Sequence, residues 1–99
     1  MKIQEKFDLT ERVAVVTGGV GLLGAEFCRT LAEAGAAVAV VDLNEAASQA
    51  IAESLTNSGY KALAFPSDIT RPDSVNAAVE NLLSAFGRID ILVNSAALD

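Results

Sequence analysis

The sequence contains no histidine and only one cysteine, Cys28. The absence of histidine excludes Ser-His-Asp and Cys-His mechanisms within the chain, and it removes the commonest ligand of protein-bound metals. A single cysteine cannot form a disulfide within the chain and gives no indication of an oxidising compartment. We therefore expect neither a metal site nor a histidine-based catalytic triad in these 99 residues.

Basic residues are also scarce, since 7 lysines and arginines oppose 13 aspartates and glutamates and give a formal net charge of −6. A surface of this sign repels nucleic-acid phosphates and anionic lipid headgroups, so neither is an expected partner. No apolar run approaches the roughly 20 residues that span a bilayer, and the mixed charges of residues 1–6 are not those of a signal peptide. We expect a cytoplasmic protein.

Four short, mostly apolar runs alternate with three segments of helical periodicity. The runs cover residues 12–17, 37–42, 61–65 and 89–94. Alternation of this kind with short connections is typical of a parallel sheet with helices on its faces, and right-handed crossovers restrict its topology. The sequence predicts one α/β domain, the N-terminal half of a Rossmann-type doubly wound parallel sheet with strand order 3-2-1-4.

Local signals indicate where the helices begin and end. Asn44 is a candidate N-cap for the second helix, whereas Thr70 and Asp73 have the spacing of a capping box for the third. Leu23, Phe27 and Leu31 recur at helical spacing and predict the first helix, and Gly35 is a natural stop after its last turn.

Glycines and polar residues follow the carboxyl ends of the predicted strands. Residues 17–19 end the first strand, Asp42 ends the second, Asp68 follows the third, and Asn94 ends the fourth. In the predicted order the winding reverses between strands 1 and 4, and open α/β sheets bind ligands at such a switch point. The sequence therefore predicts a ligand site at this rim of the sheet.

The segment T-G-G-V-G-L-L-G, residues 17–24, joins the first strand to the first helix. Its glycines allow a tight turn and a close approach of the backbone to a pyrophosphate, while N–H groups at the helix start favour the negative charge. The alternative is an ordinary glycine-rich turn that binds nothing. The predicted cofactor contacts in this segment are Gly18, Gly21, Leu22, Leu23 and Gly24.

Asp42 lies 18 residues after Gly24, close to the spacing of about 20 expected for the acid that binds the adenosine ribose. A carboxylate at this position accepts hydrogen bonds from the ribose hydroxyls and repels a 2′-phosphate, and the neighbouring Leu43 and Asn44 supply no cation. We therefore expect NAD as the cofactor in preference to NADP, with Leu43 as an adjoining contact. The alternative is that Asp42 only helps to cap the second helix.

Several motifs, in the expected order over residues 7–97, resemble the short-chain dehydrogenase/reductase family. Besides the glycine turn, Asp68-Ile69 resembles the family's two-residue motif after the third strand, in which the acid's carboxylate and the next backbone N–H hold the adenine. Residues 86–94 resemble the family's fourth-strand signature. The resemblance implies further cofactor contacts at Asp68, Ile69, Asn94 and Ala96.

Two departures concern the branch of that family. The compact branch usually reads T-G-x-x-x-G-x-G, whereas Gly21 stands one place early here and gives T-G-x-x-G-x-x-G, the pattern of extended-branch epimerases and dehydratases. The fourth-strand motif, usually N-N-A-G, reads N-S-A-A at residues 94–97. The long fourth-strand match favours the compact branch.

The family's catalytic serine, tyrosine and lysine are not expected within these residues. The spacing Y-x-x-x-K is missing, because Ala64 stands four places after the only tyrosine, Tyr60, which we expect to be structural. Arg88 and Asp90, at the start of the fourth strand, are expected to be solvated charges. Residues 1–99 are therefore predicted to be an NAD-binding Rossmann domain truncated after strand 4.

For the intact protein, the resemblance implies an NAD-dependent oxidoreductase that transfers a hydride between NAD(H) and a small alcohol or carbonyl substrate. A homo-oligomer is expected for the intact form. Two alternatives remain open at this point. One is an extended-branch nucleotide-sugar epimerase or dehydratase, and the other is a non-catalytic dinucleotide-binding regulator.

Overall fold

The computed structural model describes residues 8–95 as a four-stranded parallel sheet with helices on both faces. The strands are β1 (Val13–Thr17), β2 (Ala37–Val41), β3 (Ala62–Ala64) and β4 (Ile91–Asn94). The helices are α1 (Leu22–Glu33), α2 (Glu45–Asn57) and α3 (Pro72–Phe86). The strand order β3-β2-β1-β4 confirms the predicted topology, although β3 and β4 are shorter than the apolar runs that predicted them.

The two central strands, β1 and β2, have buried side chains on both faces of the sheet. They consist of valine and alanine apart from one terminal threonine, and such short or β-branched side chains fit between a sheet and two helix layers. Helices α1 and α2 cover one face. The core on that face comprises Val16, Cys28, Ala32, Val38, Val40, Ala52, Leu55 and Ala62.

The opposite face is covered, within the described residues, by α3 alone. Leu82 of this helix is 2% exposed and packs against alternate residues of β1 and β2, while Phe65 meets Phe86 edge to face with ring centroids 6.0 Å apart. Leu92 of β4 is 66% exposed, whereas Val93 of the same strand packs on the α1–α2 side. The sheet is therefore less covered at β4 than at its centre.

The helix caps confirm one prediction and correct another. Asn44 caps α2, because its side-chain oxygen accepts a backbone N–H three residues further on at 3.0 Å. The capping box predicted at Thr70 and Asp73 is wrong. Arg71 is the N-cap of α3, and its side chain makes no capping hydrogen bond. Thr70 lies before the cap and donates both its N–H and its hydroxyl to the Asp68 carboxylate.

Helix α1 is present where the spacing of Leu23, Phe27 and Leu31 predicts it, but these large apolar residues do not form its most buried face. Leu23 is 62% exposed, and Phe27 and Leu31 lie at the edge of the core rather than at its centre. Small side chains face the sheet because the helix starts close against the end of β1. The fully buried residues of α1 are Gly24, Cys28 and Ala32.

The close contact between α1 and the end of β1 depends on Gly24. A Cβ atom at this position would lie 2.1 Å from the carbonyl oxygen of Gly18 and 2.8 Å from Oγ of Ser95. Both distances are far shorter than van der Waals contact, and the first involves the backbone, which cannot rotate aside. Glycine is therefore the one residue that fits at position 24 with this backbone.

Asp90 is not the solvated charge expected from the sequence. Its N–H donates to the carbonyl oxygen of Val13 at 2.9 Å, and its carboxylate accepts the N–H of Val13 at 2.8 Å and an Arg88 N–H at 2.6 Å. Arg12 lies 3.6 Å from the same carboxylate, which is 15% exposed. Hydrogen bonds from Arg88 and from Val13 lower the pKa of the Asp90 carboxyl. Asp90 thus joins the first residues of β4 to those of β1.

Replacing Gly24 tests the close contact of α1 with β1. We expect Gly24→Ala to lower the free energy of unfolding by about 3 kcal/mol, the upper part of the usual range for overpacking, because the added methyl group overlaps the Gly18 backbone. Gly21→Ala is the matched control, since its Cβ would lie 3.5 Å from the nearest atom and should cost less than about 1 kcal/mol. Urea unfolding gives the free energy of unfolding of both variants. If both lose the same amount, the overlap at Gly24 is not what limits that position.

Asp90→Asn tests the junction between β1 and β4. The folded-state pKa of Asp90 is lowered, so its stabilisation is complete above the unfolded pKa of about 3.9 and is lost as the pH falls through the folded pKa. The urea midpoint of the variant should therefore lie below that of the wild type at pH 7, and the gap should shrink below about pH 4.

Asp73→Asn serves as the control for Asp90→Asn. Asp73 also pairs with an arginine, Arg71 at 3.2 Å, but both side chains are largely exposed, so little change in the urea midpoint is expected. A gap between wild type and Asp90→Asn that stays constant down to pH 2 would show that the Asp90 charge does not stabilise the fold.

Candidate functional site

The carboxyl ends of the strands meet at one rim of the sheet. Thr17 at the end of β1 pairs with Val41 of β2 on one side and with Asn94 of β4 on the other, so the loops after these strands begin side by side. Ala96 lies outside the described residues. The other predicted site residues all lie at this rim, in or next to these loops: Gly18, Gly21, Leu22, Leu23, Gly24, Asp42, Leu43, Asp68, Ile69 and Asn94.

The glycine turn is fixed to β2 and folds back on itself. The N–H of Gly18 donates to the carbonyl oxygen of Val41 at 2.9 Å, and the N–H of Gly21 donates to that of Gly18 at 3.2 Å. Gly18 has a φ of 71°, in the left-handed region that strains residues with a Cβ atom. The chain therefore passes from Thr17 to the start of α1 at Leu22 in one tight turn.

The first turn of α1 presents backbone N–H groups that have no hydrogen-bond acceptor within residues 8–95. The N-cap, Gly21, has no side chain that could cap the helix, and the first turn contains no acidic residue. The free groups lie at the positive end of the helix dipole, which favours an anion such as a phosphate. They are the N–H groups of Leu22, Leu23 and Gly24.

Asp42 follows β2 directly, and one of its carboxylate oxygens accepts the N–H of Asn44 at 3.0 Å. The cap of α2 itself is the Asn44 side chain, so Asp42 contributes to the turn before the helix and is not the cap. The second carboxylate oxygen of Asp42 has no hydrogen-bond donor within the described residues. Leu43, 71% exposed, stands beside it at the rim.

Asp68 and Ile69 form the corresponding pair after β3. Hydrogen bonds from the hydroxyl and the N–H of Thr70 hold one oxygen of the Asp68 carboxylate and lower its pKa, so the side chain is ionised at neutral pH. The other oxygen has no donor, and the N–H of Ile69 has no acceptor, among residues 8–95. The pair thus offers an acceptor and a donor on neighbouring residues.

The hydroxyl groups of Thr17 and Ser95 connect the rim at the switch point, and neither residue is among the predicted cofactor contacts. Oγ1 of Thr17 donates to Oδ1 of Asn94 at 2.9 Å, and Oγ of Ser95 donates to the carbonyl oxygen of Thr17 at 2.6 Å. The available signal in the sequence is that Thr17 ends β1 and that Ser95 directly follows Asn94, the last residue of β4. The contacts fix Asn94 relative to the glycine turn.

Two residues with reactive side chains lie away from this rim. Tyr60 precedes β3 and lines a cavity of about 510 Å³ with Lys61 and Arg12 at the opposite rim, as the sequence predicts. Cys28 is fully buried, and burial raises the pKa of its thiol to about 11, so the thiol is protonated at neutral pH. Over residues 8–95, no group of histidine, cysteine, aspartate or glutamate is arranged to hold a metal ion, and no helix is long and apolar enough to cross a membrane.

Comparison with known proteins agrees with this arrangement. A family model described as short chain dehydrogenase matches residues 12–99. The chain is similar to the cis-4-hydroxycyclohexanecarboxylate dehydrogenase of Sinomonas cyclohexanicum, with 43% identity over 88 residues. That alignment covers 89% of this chain and 35% of the relative, so the chain spans about a third of the relative's length.

Solved structures show the same fold. A metagenomic short-chain oxidoreductase in complex with NADP gives a TM-score of 0.86 at 32% identity, covering 92% of this chain and 41% of that one. A Haemophilus influenza protein with bound NAD gives a TM-score of 0.92 at 28% identity, covering 99% of this chain and 35% of that one. With the glycine turn, the strand order and the family match over residues 12–99, these likenesses show that the chain belongs to the short chain dehydrogenase family.

Proposed function

We propose that residues 1–99 bind the adenosine and pyrophosphate portions of NAD in an oxidoreductase that transfers a hydride between NAD(H) and an alcohol or carbonyl substrate. The family consists of oxidoreductases that bind nicotinamide dinucleotides. The observation that carries the proposal is the first turn of α1. Its unpaired N–H groups lie at the same rim as the unpaired carboxylate oxygens of Asp42 and Asp68.

The pyrophosphate is assigned to the start of α1. A phosphate oxygen there accepts the N–H groups of Leu22, Leu23 and Gly24, which find no acceptor in the described residues. Gly21 adds no side chain between these groups and the ligand. In a chain with a net charge of −6, such a local concentration of donors is what makes an anion site favourable.

The adenosine ribose is assigned to Asp42. Its free carboxylate oxygen can accept hydrogen bonds from the ribose hydroxyls, and it would repel a phosphate on the 2′ oxygen. Known structures of similar proteins include complexes with both NADP and NAD, so the likeness does not distinguish the two cofactors and this chain's own residues must. No cation stands in the turn or next to Asp42 in sequence, and NAD is therefore favoured.

The adenine is assigned to Asp68 and Ile69. Adenine carries an acceptor at N1 and a donor at its 6-amino group, which complement the Ile69 N–H and the free oxygen of Asp68. At the other end of the rim, Asn94 ends β4 at the switch point, and we assign Asn94, together with Ala96 two places later in the sequence, to the part of the cofactor nearer the nicotinamide. The Thr17 hydroxyl holds the Asn94 side chain for that contact.

The chemistry of the intact protein is proposed from the family. When bound, NAD(H) supplies or takes up the hydride, and a proton must move to or from the substrate oxygen at the same time. We assign that proton transfer to a serine, tyrosine and lysine outside these 99 residues, because the chain spans only about a third of the Sinomonas relative. The name of that relative, a dehydrogenase of a hydroxylated ring carboxylate, supports an alcohol as the substrate class. A cytoplasmic location and a homo-oligomeric intact form stay predictions.

Asp42→Ala tests the cofactor choice. The unmodified protein should bind NAD more tightly than NADP, and the variant should bind NAD about tenfold to a hundredfold more weakly, because a hydrogen bond to a charged group is lost. Affinity for NADP should fall less or rise, since the repulsion of the 2′-phosphate is also removed. Isothermal titration calorimetry gives the four dissociation constants.

Glu45→Ala is the matched control for Asp42→Ala. It removes an exposed carboxylate three residues further on, at the first position of α2, and should leave the ratio of the NAD and NADP dissociation constants unchanged. Equal affinities for the two cofactors in the unmodified protein would contradict the proposed role of Asp42.

A further inference from the structure

The loop that carries Asp68 and Ile69 is fastened to α3 by one side chain, Ser74. The N–H of Asp68 donates to Oγ of Ser74 at 2.9 Å. The same hydroxyl lies 3.2 Å from Oγ of Ser67, whose side chain is buried with 5% exposure. Ser74 belongs to the first turn of α3, so the loop is connected to a rigid element that packs on the sheet through Leu82.

Ser67, the hydrogen-bond partner of Ser74, connects the two loops that are assigned to adenosine. The N–H of Ser67 donates to the carbonyl oxygen of Asp42 at 3.0 Å, while the Ser67 hydroxyl contacts Ser74. The loop after β2 and the loop after β3 are therefore joined through a short hydrogen-bonded chain. Among the residues joined by these hydrogen bonds, Ser74 is the one that belongs to a helix in the described part of the structure.

Ser74 accepts one backbone N–H of this loop, and the N–H of the next residue remains available. Ser74 accepts the N–H of Asp68, and the carbonyl oxygen of Asp68 accepts the N–H of Arg71 at 3.1 Å. The next N–H, that of Ile69, is left without an acceptor among residues 8–95. Ser74 holds the backbone of Asp68 and Thr70 holds one oxygen of its carboxylate, so the free oxygen and the free N–H keep a fixed position relative to each other and to α3.

We propose that Ser74 is a positioning residue that sets the preference of the site for adenine over other purine bases. This inference rests on the proposed NAD function. The Ile69 N–H and the Asp68 carboxylate match the acceptor N1 and the 6-amino donor of adenine. Hypoxanthine presents a donor at N1 and an acceptor oxygen at position 6, so both contacts are mismatched, and a site built from hydrogen-bonding groups rejects such an analogue strongly.

The test compares binding of NAD and of nicotinamide hypoxanthine dinucleotide, which differ only in the base. In the unmodified protein, calorimetry should give at least about tenfold tighter binding of NAD. In Ser74→Ala the loop loses its attachment to α3, and the ratio of the two dissociation constants should fall by about threefold to tenfold. A residue with a merely structural role would weaken both ligands alike and leave the ratio unchanged.

Three further variants make the comparison specific. Ser84→Ala removes an exposed hydroxyl from the same helix and should keep the unmodified ratio. Ser74→Thr retains the hydroxyl and should restore most of the preference for NAD. Ser74→Cys keeps the volume of the side chain with a much weaker acceptor and should reduce the ratio, so it replaces Ser74→Ala if circular dichroism shows that the alanine variant does not fold.

The outcomes separate this inference from the function on which it rests. If the unmodified protein binds neither dinucleotide, the proposed function is wrong. If it prefers NAD but Ser74→Ala and Ser74→Cys keep the unmodified ratio, whether or not both affinities fall, the assignment of Ser74 is overturned. A reduced ratio in these two variants, with the unmodified ratio in Ser84→Ala and recovery in Ser74→Thr, supports it.

Discussion

The parallel pairing of β1 with both of its neighbours determines where everything at the rim lies. Since Thr17 pairs with Val41 and with Asn94, three strands end at the same level and their following loops start together. At the opposite end, Asp90 holds the first residues of β4 against Val13. A shift of one residue in the pairing of β4 with β1 would move Asn94 away from the glycine turn and turn its side chain to the other face of the sheet.

Given that register, the chemistry of the rim follows from groups that the fold leaves unpaired. The turn after β1 is so short that α1 begins at Leu22 with a glycine as N-cap and with no carboxylate in its first turn. Gly24 lets the helix start directly against the backbone of the turn. The helix therefore presents donors where an acidic protein would otherwise repel a phosphate, while the acceptors of Asp42 and Asp68 stand on the adjacent loops.

The parts of the fold that follow from local pattern could be predicted from the sequence. Valine-rich runs, a glycine after each helix and the alternation of elements indicate the strand order, and the glycine turn identifies the rim. The errors arise where a residue is used by a distant part of the chain. Asp90 looks like a surface charge because its partner Val13 lies 77 residues away in sequence. Thr70 has the spacing of a capping residue, but its hydroxyl donates to the Asp68 carboxylate. The close approach of the Gly24 backbone to Gly18, which places small residues of α1 against the sheet, is not visible in the spacing of the apolar residues.

We propose that the groups of this rim left unpaired within residues 8–95 bind the adenosine half of a dinucleotide. A titration of the ¹⁵N-labelled chain with NAD, followed by amide chemical shifts, tests it most directly. If the cofactor binds at this rim, we expect saturable shifts at the N–H groups of Leu22, Leu23, Gly24 and Ile69, with little change at Tyr60 and Lys61 on the opposite rim. Shifts confined to the opposite rim, or saturable binding that leaves the first turn of α1 unperturbed, would contradict it.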